Sequence, residues 1–271
     1  LARIDVLYDL AFLIMDLLQR GLGEAAWRLL QTWNELVVDD AGLAALPLFL
    51  SVRAAIRAKV AGFSARLAET PAQISHQRAV AQAYLQLAEN VLQPAPPRLI
   101  AIGGPSGSGK SSLAGRLAPT VGATPGAIVL RSDVTRKRLF GQPAAARLAE
   151  LAYRPEISSR VFRILALRAR RLLAAGCSVI CDAVYGEAWQ RADIEAVARA
   201  LGVPFAGFWL EAPAEVLKPR IQARQGDASD ADVAVLQRQL EHIDTTAVSW
   251  ARIDAARPLD AILAEIRARL A

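Results

Sequence analysis

The residues at positions 104–111 have types and a spacing that suit phosphate binding. They read Gly-Pro-Ser-Gly-Ser-Gly-Lys-Ser, directly after an apolar run at 99–102, and they fit the pattern G-x-x-x-x-G-K-[ST]. Glycines let the backbone N–H groups of such a loop converge on phosphate oxygens, and a following helix adds the positive end of its dipole. We therefore predict that this segment holds the phosphates of a nucleotide.

Two side chains of this segment, a P-loop, are expected to do more than shape it. Lys110 would bind the β- and γ-phosphates, and the Ser111 hydroxyl would coordinate Mg²⁺. The alternative, a glycine-rich turn that binds nothing, is disfavoured by the apolar run before the loop and the helical pattern at 111–117 after it. The residues expected to bind ATP are Gly104, Pro105, Ser106, Gly107, Ser108, Gly109, Lys110, Ser111 and Ser112.

A candidate general base, Asp133, follows the second apolar run at 127–130. We expect this second strand to lie beside the P-loop strand, so that Asp133 projects into the same crevice and accepts the proton of an attacking hydroxyl. Arg136, one helical turn later, would lie beside Asp133 and bind an anionic group of the substrate. Asp133 could instead cap a helix over 134–140, and the two roles are compatible.

A candidate metal ligand, Asp182, follows the third apolar run at 178–181. An acid at the end of such a strand fits the loose pattern of the carboxylate that holds Mg²⁺ in P-loop proteins, directly or through water. Simple solvation of a strand end would give the same pattern. Because a good P-loop precedes it, we expect Asp182 to join Ser111 as a metal ligand.

Two arginines, Arg220 and Arg224, lie four residues apart in a predicted helix over 213–225, and therefore on one face of it. This pair could close over ATP and neutralise the charge that develops during phosphoryl transfer. The alternative is an ordinary solvated helix face.

The part of the sequence that contains these residues alternates between short apolar runs and helical stretches. The runs are at 99–102, 127–130, 178–181, 205–210 and 251–253, and the helical stretches include 143–175, 187–201 and 213–224. Alternation of this kind predicts an α/β fold, in which helices cover both faces of a parallel sheet.

The first 93 residues have only helical patterns, with runs at 24–38, 43–67 and 71–92 and with Thr70 as an expected N-cap. A proline-rich linker at 94–97 separates them from a second domain at 98–271. Apolar helical positions in the first segment are Leu43, Leu46, Leu50 and Ala54. Because a small helical domain buries too little surface alone, we expect it to pack on the second domain or on a second copy, as a homodimer.

Composition and charge narrow the class of protein. With 271 residues, 54% hydrophobic and 21% charged, the chain is not a disordered one. No run of about 18 uncharged apolar residues is present, so we expect no membrane span and a cytoplasmic protein with reduced Cys177 and Cys181. Because the chain begins with Leu1 instead of Met, we expect natural sequence upstream of it.

Basic residues are concentrated in one part of the chain. Residues 131–171 hold 11 Lys and Arg against 3 Asp and Glu, although the net charge of the whole chain is only +6. This block would suit a phosphorylated or polyanionic acceptor. A solvated helix face together with arginines around ATP would produce the same excess.

Residues 98–271 resemble the adenylate-kinase-like P-loop kinases, a group that includes gluconate kinases, chloramphenicol phosphotransferases, zeta toxins and polynucleotide kinases. The matching segments are 104–111, 132–136, 179–183 and the stretch that carries Arg220 and Arg224. In such kinases the acid after the second strand activates the acceptor hydroxyl. The D-x-x-R spacing of Asp133 and Arg136 is similar to that of polynucleotide 5′-hydroxyl kinases, whose arginine binds a substrate phosphate.

The resemblance implies a five-stranded parallel sheet with a mobile arginine lid. It also implies a Mg²⁺-ATP-dependent kinase that phosphorylates a hydroxyl of a small molecule or of a nucleic-acid 5′ end. The alternative from another class is a nucleotide-binding ATPase or regulatory module that acts through a protein partner, with residues 1–93 as the docking segment.

Residues 1–60 carry a second resemblance, in which the segment 4–13 is similar to the one just after the catalytic loop of aminoglycoside-phosphotransferase-like proteins. The chain contains neither the H-G-D catalytic loop nor the metal-binding acid that follows it. The resemblance therefore implies only the helical end of such a domain, and no catalytic residue is transferred from it. Asp5 and Asp9 are expected to be helix-surface or packing residues.

Overall fold

A computed structural model of the chain describes residues 4–93, 95–223 and 228–270. The α-helices are α1 Val6–Gln19, α2 Gly23–Val37, α3 Leu46–Leu67, α4 Pro71–Asn90, α5 Lys110–Leu117, α6 Ser132–Leu139, α7 Pro155–Ala174, α8 Ala188–Leu201, α9 Ala214–Gln222, α10 Val233–His242 and α11 Leu259–Leu270. The strands are β1 Leu99–Gly103, β2 Ile128–Arg131, β3 Val179–Asp182, β4 Phe205–Glu211 and β5 Ala251–Asp254. Short 3₁₀ helices span Gly42–Ala45, Ala118–Thr120 and Glu150–Tyr153.

Two compact units are present. The first comprises the described residues of Leu1–Pro96 together with Pro119–Ala127 and Ala175–Cys177. The second comprises those of Pro97–Ala118, Ile128–Ala174 and Ser178–Ala271. The domain boundaries at 93 and 98 and the packing of residues 1–93 on another surface remain predictions.

Helices α1 and α4 of the first unit begin where side chains satisfy free N–H groups of the first turn. Asp5 accepts from the Leu7 N–H at the start of α1, at 2.9 Å. Thr70 and Gln73 form a reciprocal capping box at the start of α4, with Pro71 in its first turn, which confirms the predicted N-cap. The positions predicted to be core, Leu43, Leu46, Leu50 and Ala54, are all buried.

Polar contacts tie α1 to α3 within this unit. The Arg53 guanidinium donates to the Tyr8 carbonyl at 3.1 Å and to the Asp9 carboxylate at 2.8 Å. It also lies 3.8 Å from the centroid of the Tyr8 ring, where a cation–π attraction adds to the contact. Asp9 is thus an ion-pair partner on the helix surface, in agreement with its expected structural role.

Trp27 forms a buried hydrogen bond that stabilises the same unit. Its indole N–H donates to the carbonyl of Ala127 at 2.8 Å. We expect Trp27→Phe to lower the free energy of unfolding by about 1–3 kcal/mol, because the buried carbonyl loses its donor and the smaller ring leaves space. Urea denaturation of the full chain measures the change. Trp33→Phe, at a more exposed position, is the matched control, and an equal loss in both variants would contradict the prediction.

The second unit is built on a five-stranded parallel sheet with the order β2-β3-β1-β4-β5. The predicted α/β class and strand number are confirmed. The expectation that the second strand lies beside the P-loop strand is wrong, because β3 lies between β2 and β1. Apolar runs of similar length define strands but do not define which strand neighbours which. In the observed register Asp182 lies opposite Ile102, so β3 brings Asp182 directly beside the P-loop strand.

The stretch predicted as one helix at 143–175 contains an α-helix only from Pro155 onward. Arg154 has φ −58° and ψ 151°, an extended conformation. A residue before proline is sterically disfavoured from the helical region, which explains why the helix begins there. The preceding residues instead form a loop that contains the 3₁₀ helix Glu150–Tyr153.

Among the described residues, no helix has both the length and the apolar character needed to cross a membrane. The thiols of Cys177 and Cys181 are both free, as expected from their predicted reduced state.

Candidate active site

The P-loop has the backbone geometry that its glycines predict. Gly104, Gly107 and Gly109 have φ angles of +134°, +82° and +88°, which side chains with a Cβ rarely adopt. At Gly104 a Cβ would also lie 2.2 Å from the carbonyl oxygen of Leu210. Helix α5 begins at Lys110, directly after the loop, so its free N–H groups point toward the site.

Polar groups of this loop are arranged around a place where an anion fits. The Lys110 ammonium donates to the carbonyl oxygens of Gly104 and Pro105, at 2.9 and 2.8 Å, and so lies over the loop. The Ser108 hydroxyl is buried and has no hydrogen-bond partner among the described residues. A phosphate oxygen would supply the missing partner, because it accepts hydrogen bonds from both groups.

The two expected metal ligands are in direct contact. The Ser111 hydroxyl donates to the Asp182 carboxylate at 2.6 Å. The Arg131 Nε lies 3.4 Å from the same carboxylate and offsets part of its charge. Two oxygen ligands on adjacent elements suit Mg²⁺, which is usually held by one or two protein oxygens, the phosphates and water.

The candidate base, Asp133, is the second residue of α6 and is partly buried. Burial is the main reason why its pKa is raised, and the negative charge of Asp182 raises it further. The charges of Lys110 and Arg131 and a hydrogen bond with Ser229 oppose these effects. The N-cap of α6 is Arg131, without a side-chain cap bond, so the proposed capping role of Asp133 is wrong.

Arg136 is buried beside the candidate base. Burial lowers its pKa, and the charge of Asp133 offsets part of that effect. Its Nη1 donates to the carbonyl of Ala152 at 2.6 Å, and the guanidinium lies 4.8 Å from the centroid of the Tyr153 ring. Arg136 is therefore anchored to the loop before α7, while it still lines the same cavity as Asp133.

Of the two predicted lid arginines, Arg220 lines this cavity as well. Its Nη1 donates to the carbonyl of Ala255 at 2.8 Å, which ties α9 to the turn after β5. The helix predicted to reach residue 225 ends at Gln222, and Arg224 lies outside the described residues.

A single large cavity joins these residues. It has a volume of about 1540 Å³, and its walls include the P-loop from Ser106 to Ser112, Asp133, Asp182 and residues of α10. Typical small-molecule pockets have about 300–1,000 Å³. The cavity therefore has room for a nucleotide and a second substrate.

A family model described as an AAA domain matches residues 99–246, which is more than half of the chain. The chain belongs to the AAA-domain family. Every site residue considered so far, except Ala255, lies within the matched part of this AAA domain.

Curated relatives have about twice the length of this chain. Proteins named only as uncharacterized, from Mycobacterium bovis and from Mycobacterium tuberculosis strain H37Rv, are each 32% identical to it over 243 residues. The match covers 87% of this chain and 46% of each relative. The chain thus spans about half the length of the curated relatives it matches.

Three of the solved structures to which the chain has some likeness are kinases by their names. A sugar kinase from a Janibacter species is 21% identical, with 65% of this chain and 95% of that chain covered and a TM-score of 0.45. A gluconokinase from Sinorhizobium meliloti is 24% identical, with 66% and 97% covered and a TM-score of 0.43. An APS kinase from Mycobacterium tuberculosis, in complex with AMPPNP and APS, is 21% identical, with 66% and 99% covered and a TM-score of 0.45.

The AAA domain also places residues in the site that the sequence did not indicate. The side-chain carbonyl of Gln239, in α10, accepts from the backbone N–H of Ser106 at 2.8 Å. Ser229 contacts Asp133, and Asp230 lies on the wall of the cavity. A contact such as that between Gln239 and Ser106 spans 133 positions of the sequence, and no local pattern signals it.

The Gln239 contact leads to a prediction about nucleotide affinity. The side-chain oxygen of Gln239 accepts the hydrogen bond from a P-loop N–H that a phosphate oxygen would otherwise accept. A bound nucleotide would therefore compete with Gln239 for this donor. We expect Gln239→Ala to lower the Kd for AMPPNP about two- to tenfold, which corresponds to one net hydrogen bond. Calorimetric titration measures this. Gln237→Ala, on the same helix, is the control, and a weaker affinity in Gln239→Ala would contradict the prediction.

Proposed function

We propose that the AAA domain is a Mg²⁺-ATP-dependent kinase that transfers the γ-phosphate of ATP to a hydroxyl. One observation carries this proposal: Asp133, a carboxylate with a raised pKa, faces the same cavity as the P-loop and the Ser111–Asp182 pair. A base of raised pKa beside space for a second substrate is what phosphorylation of a hydroxyl requires.

The residues of the site fit both the nucleotide and its metal ion. The backbone N–H groups of the P-loop, the Ser108 hydroxyl and the Lys110 ammonium would hold the phosphates. Ser111 and Asp182 would hold Mg²⁺, which when bound neutralises charge on the β- and γ-phosphates. The Ser111 hydroxyl donates its proton to Asp182, so the lone pairs of its oxygen would remain available to the ion.

The proposed reaction is an in-line transfer. As the acceptor oxygen bonds to the γ-phosphorus, its proton passes to the Asp133 carboxylate, and the bond from the γ-phosphorus to the β–γ bridging oxygen breaks. Lys110 and Arg220 would stabilise the negative charge on the transferring group. Asp133 then releases its proton to solvent.

The acceptor is proposed to be a hydroxyl-bearing small molecule or a 5′-hydroxyl nucleic acid. Arg136 lies near Asp133 and would bind an anionic group of that acceptor. The cavity volume allows either a metabolite or the end of a nucleic-acid strand.

The test is transfer of label from γ-labelled ATP. The full chain is incubated with Mg²⁺ and with separate pools of sugars, antibiotics, nucleosides and 5′-hydroxyl oligonucleotides. Label in one pool is the expected result. Slow release of labelled phosphate with every pool unlabelled would contradict the kinase proposal and would favour an ATPase that acts through a protein partner.

A further inference from the structure

Three groups converge on the carboxylate of Asp230, which lies in the segment that leads into α10. Its Oδ1 accepts from the Lys137 ammonium at 2.9 Å. Its Oδ2 accepts from the Leu148 N–H at 3.0 Å and from the Tyr153 hydroxyl at 2.6 Å. A single side chain therefore joins α6, the loop before α7 and the segment before α10.

The charge of Asp230 is balanced within this cluster. Burial alone would raise its pKa, but the hydrogen bonds from Tyr153, Lys137 and the Leu148 N–H lower it below the ordinary value. Asp230 is thus ionised at neutral pH. Lys137 is 1% exposed, and a lysine so deeply buried requires an anionic partner.

Two neighbours of Asp230, Ser229 and Tyr153, also contact residues of the proposed reaction. Ser229, adjacent in the chain, is hydrogen-bonded to the Asp133 carboxylate. The Tyr153 ring lies against the Arg136 guanidinium, 4.8 Å from it. Asp230 therefore has one connection to the candidate base and another to the candidate acceptor-binding arginine.

We infer that Asp230 is a positioning residue for the acceptor side of the proposed kinase reaction: it holds Ser229 on Asp133 and Tyr153 against Arg136. This inference rests on the proposed function. Within the described part of the chain, the hydrogen bonds of Asp230 go to Lys137, Leu148 and Tyr153, all outside the P-loop. We therefore expect Asp230 to act on the acceptor and on the base. Loss of Asp230 is therefore expected to impair transfer without changing nucleotide affinity.

The primary test is Asp230→Asn in the full chain. We expect transfer of label to the pool that the wild type phosphorylates to fall at least tenfold, whereas the Kd for AMPPNP stays within twofold. Asp232→Asn is the matched control on the same segment, since asparagine also caps a helix, and it should retain transfer. Equal losses of AMPPNP affinity and of transfer in Asp230→Asn would overturn the inference.

Milder variants separate positioning from folding, because Asp230→Asn leaves the buried Lys137 without its anion. Tyr153→Phe preserves the Lys137–Asp230 pair and the bond from the Leu148 N–H, and it removes only the bond from the Tyr153 hydroxyl. We expect it to raise the KM for the acceptor about two- to tenfold. Ser229→Ala is expected to lower kcat and to shift the acid limb of the kcat profile to higher pH, because the Ser229 hydrogen bond lowers the pKa of Asp133. A merely structural role would lower the active fraction, and hence kcat, in both variants without changing the acceptor KM or the acid limb.

The results of these assays distinguish a failure of the positioning role of Asp230 from a failure of the proposed kinase function. If the wild type labels no acceptor, the kinase proposal fails and the inference fails with it. If the wild type labels an acceptor and both Tyr153→Phe and Ser229→Ala have wild-type kcat and KM, only the positioning role is overturned. Wild-type kinetics in these two variants overturn the positioning role even if Asp230→Asn does not fold.

Discussion

Replacing Lys110 by methionine is expected to lower phosphoryl transfer about a thousandfold, to below detection in a label assay. The ammonium lies over the carbonyls of Gly104 and Pro105 and would contact the transferring phosphate, where negative charge must be neutralised. Methionine keeps the length and the apolar stem of the side chain but has no charge and no donor. The fold should persist, because the hydrogen bonds to the Gly104 and Pro105 carbonyls are local to the P-loop.

The measurement is the rate of transfer from γ-labelled ATP, together with the thermal unfolding of the variant. Lys59→Met, at an exposed position of α3, is the matched control and should keep wild-type rates. If Lys110→Met still consumes ATP at the wild-type rate, the P-loop lysine has no catalytic role and the assignment fails.

Asp133→Asn is expected to lower transfer about a hundred- to ten-thousandfold and to leave the Kd for AMPPNP nearly unchanged. The substitution keeps the size of the side chain and removes the group that accepts the proton of the acceptor hydroxyl, and a positioned general base contributes a factor of this order. Parallel losses of affinity and of rate would instead show that Asp133 is structural. Asp193→Asn, on α8, supplies the control for a neutralised acid.

The raised pKa of Asp133 gives this prediction a pH dependence. Only the ionised carboxylate accepts a proton, so the rate falls as the pH decreases through the pKa. That pKa lies above the ordinary 3.8 because of burial and the charge of Asp182, so the acid limb lies above that of an exposed aspartate. The limb should be absent in Asp133→Asn.

The raised pKa of Asp133 also affects the stability of the folded state: the ionised carboxylate lowers that stability, although catalysis requires it. A carboxyl whose pKa is raised on folding opposes folding once it ionises, that is, above its ordinary pKa. Asp133→Asn should therefore raise the melting temperature at neutral pH and have little effect at pH below 3.8, where the carboxyl is protonated in both states. A lower melting temperature at neutral pH would show that the charged group has a stabilising contact.

Local patterns in the sequence were sufficient to predict the P-loop and the five strands. Glycines at positions that need positive φ, and apolar runs before them, are signals contained within a few residues. The neighbour of each strand was not predictable in this way, and β3 was therefore not expected beside β1. The position of β3 beside β1 explains why Asp182 contacts Ser111. That the two residues act together was predicted from an acid that follows an apolar strand in a chain with a P-loop.

The acceptor side of the site was less predictable. Lys137 and Asp230 are 93 positions apart, and their pairing depends on how two loops fold over the sheet. Arg136 was expected beside Asp133 from helical spacing, and the charge of Asp133 does act on it. That its guanidinium also anchors the loop at Ala152 depends on Pro155, because α7 begins there and the residues before it are not part of that helix.

The segment that contains Ser229 and Gln239 has a consequence for the order in which substrates bind. One end of it contacts Asp133, and the other end contacts the P-loop N–H of Ser106. A nucleotide phosphate that accepts from the Ser106 N–H replaces Gln239 there, while Ser229 still contacts Asp133. If nucleotide binding shifts this segment at Asp133, ATP changes the affinity for the acceptor, and by thermodynamic reciprocity the acceptor changes the affinity for ATP by the same factor. Initial-rate kinetics with both substrates varied should then give an apparent KM for ATP that depends on the acceptor concentration.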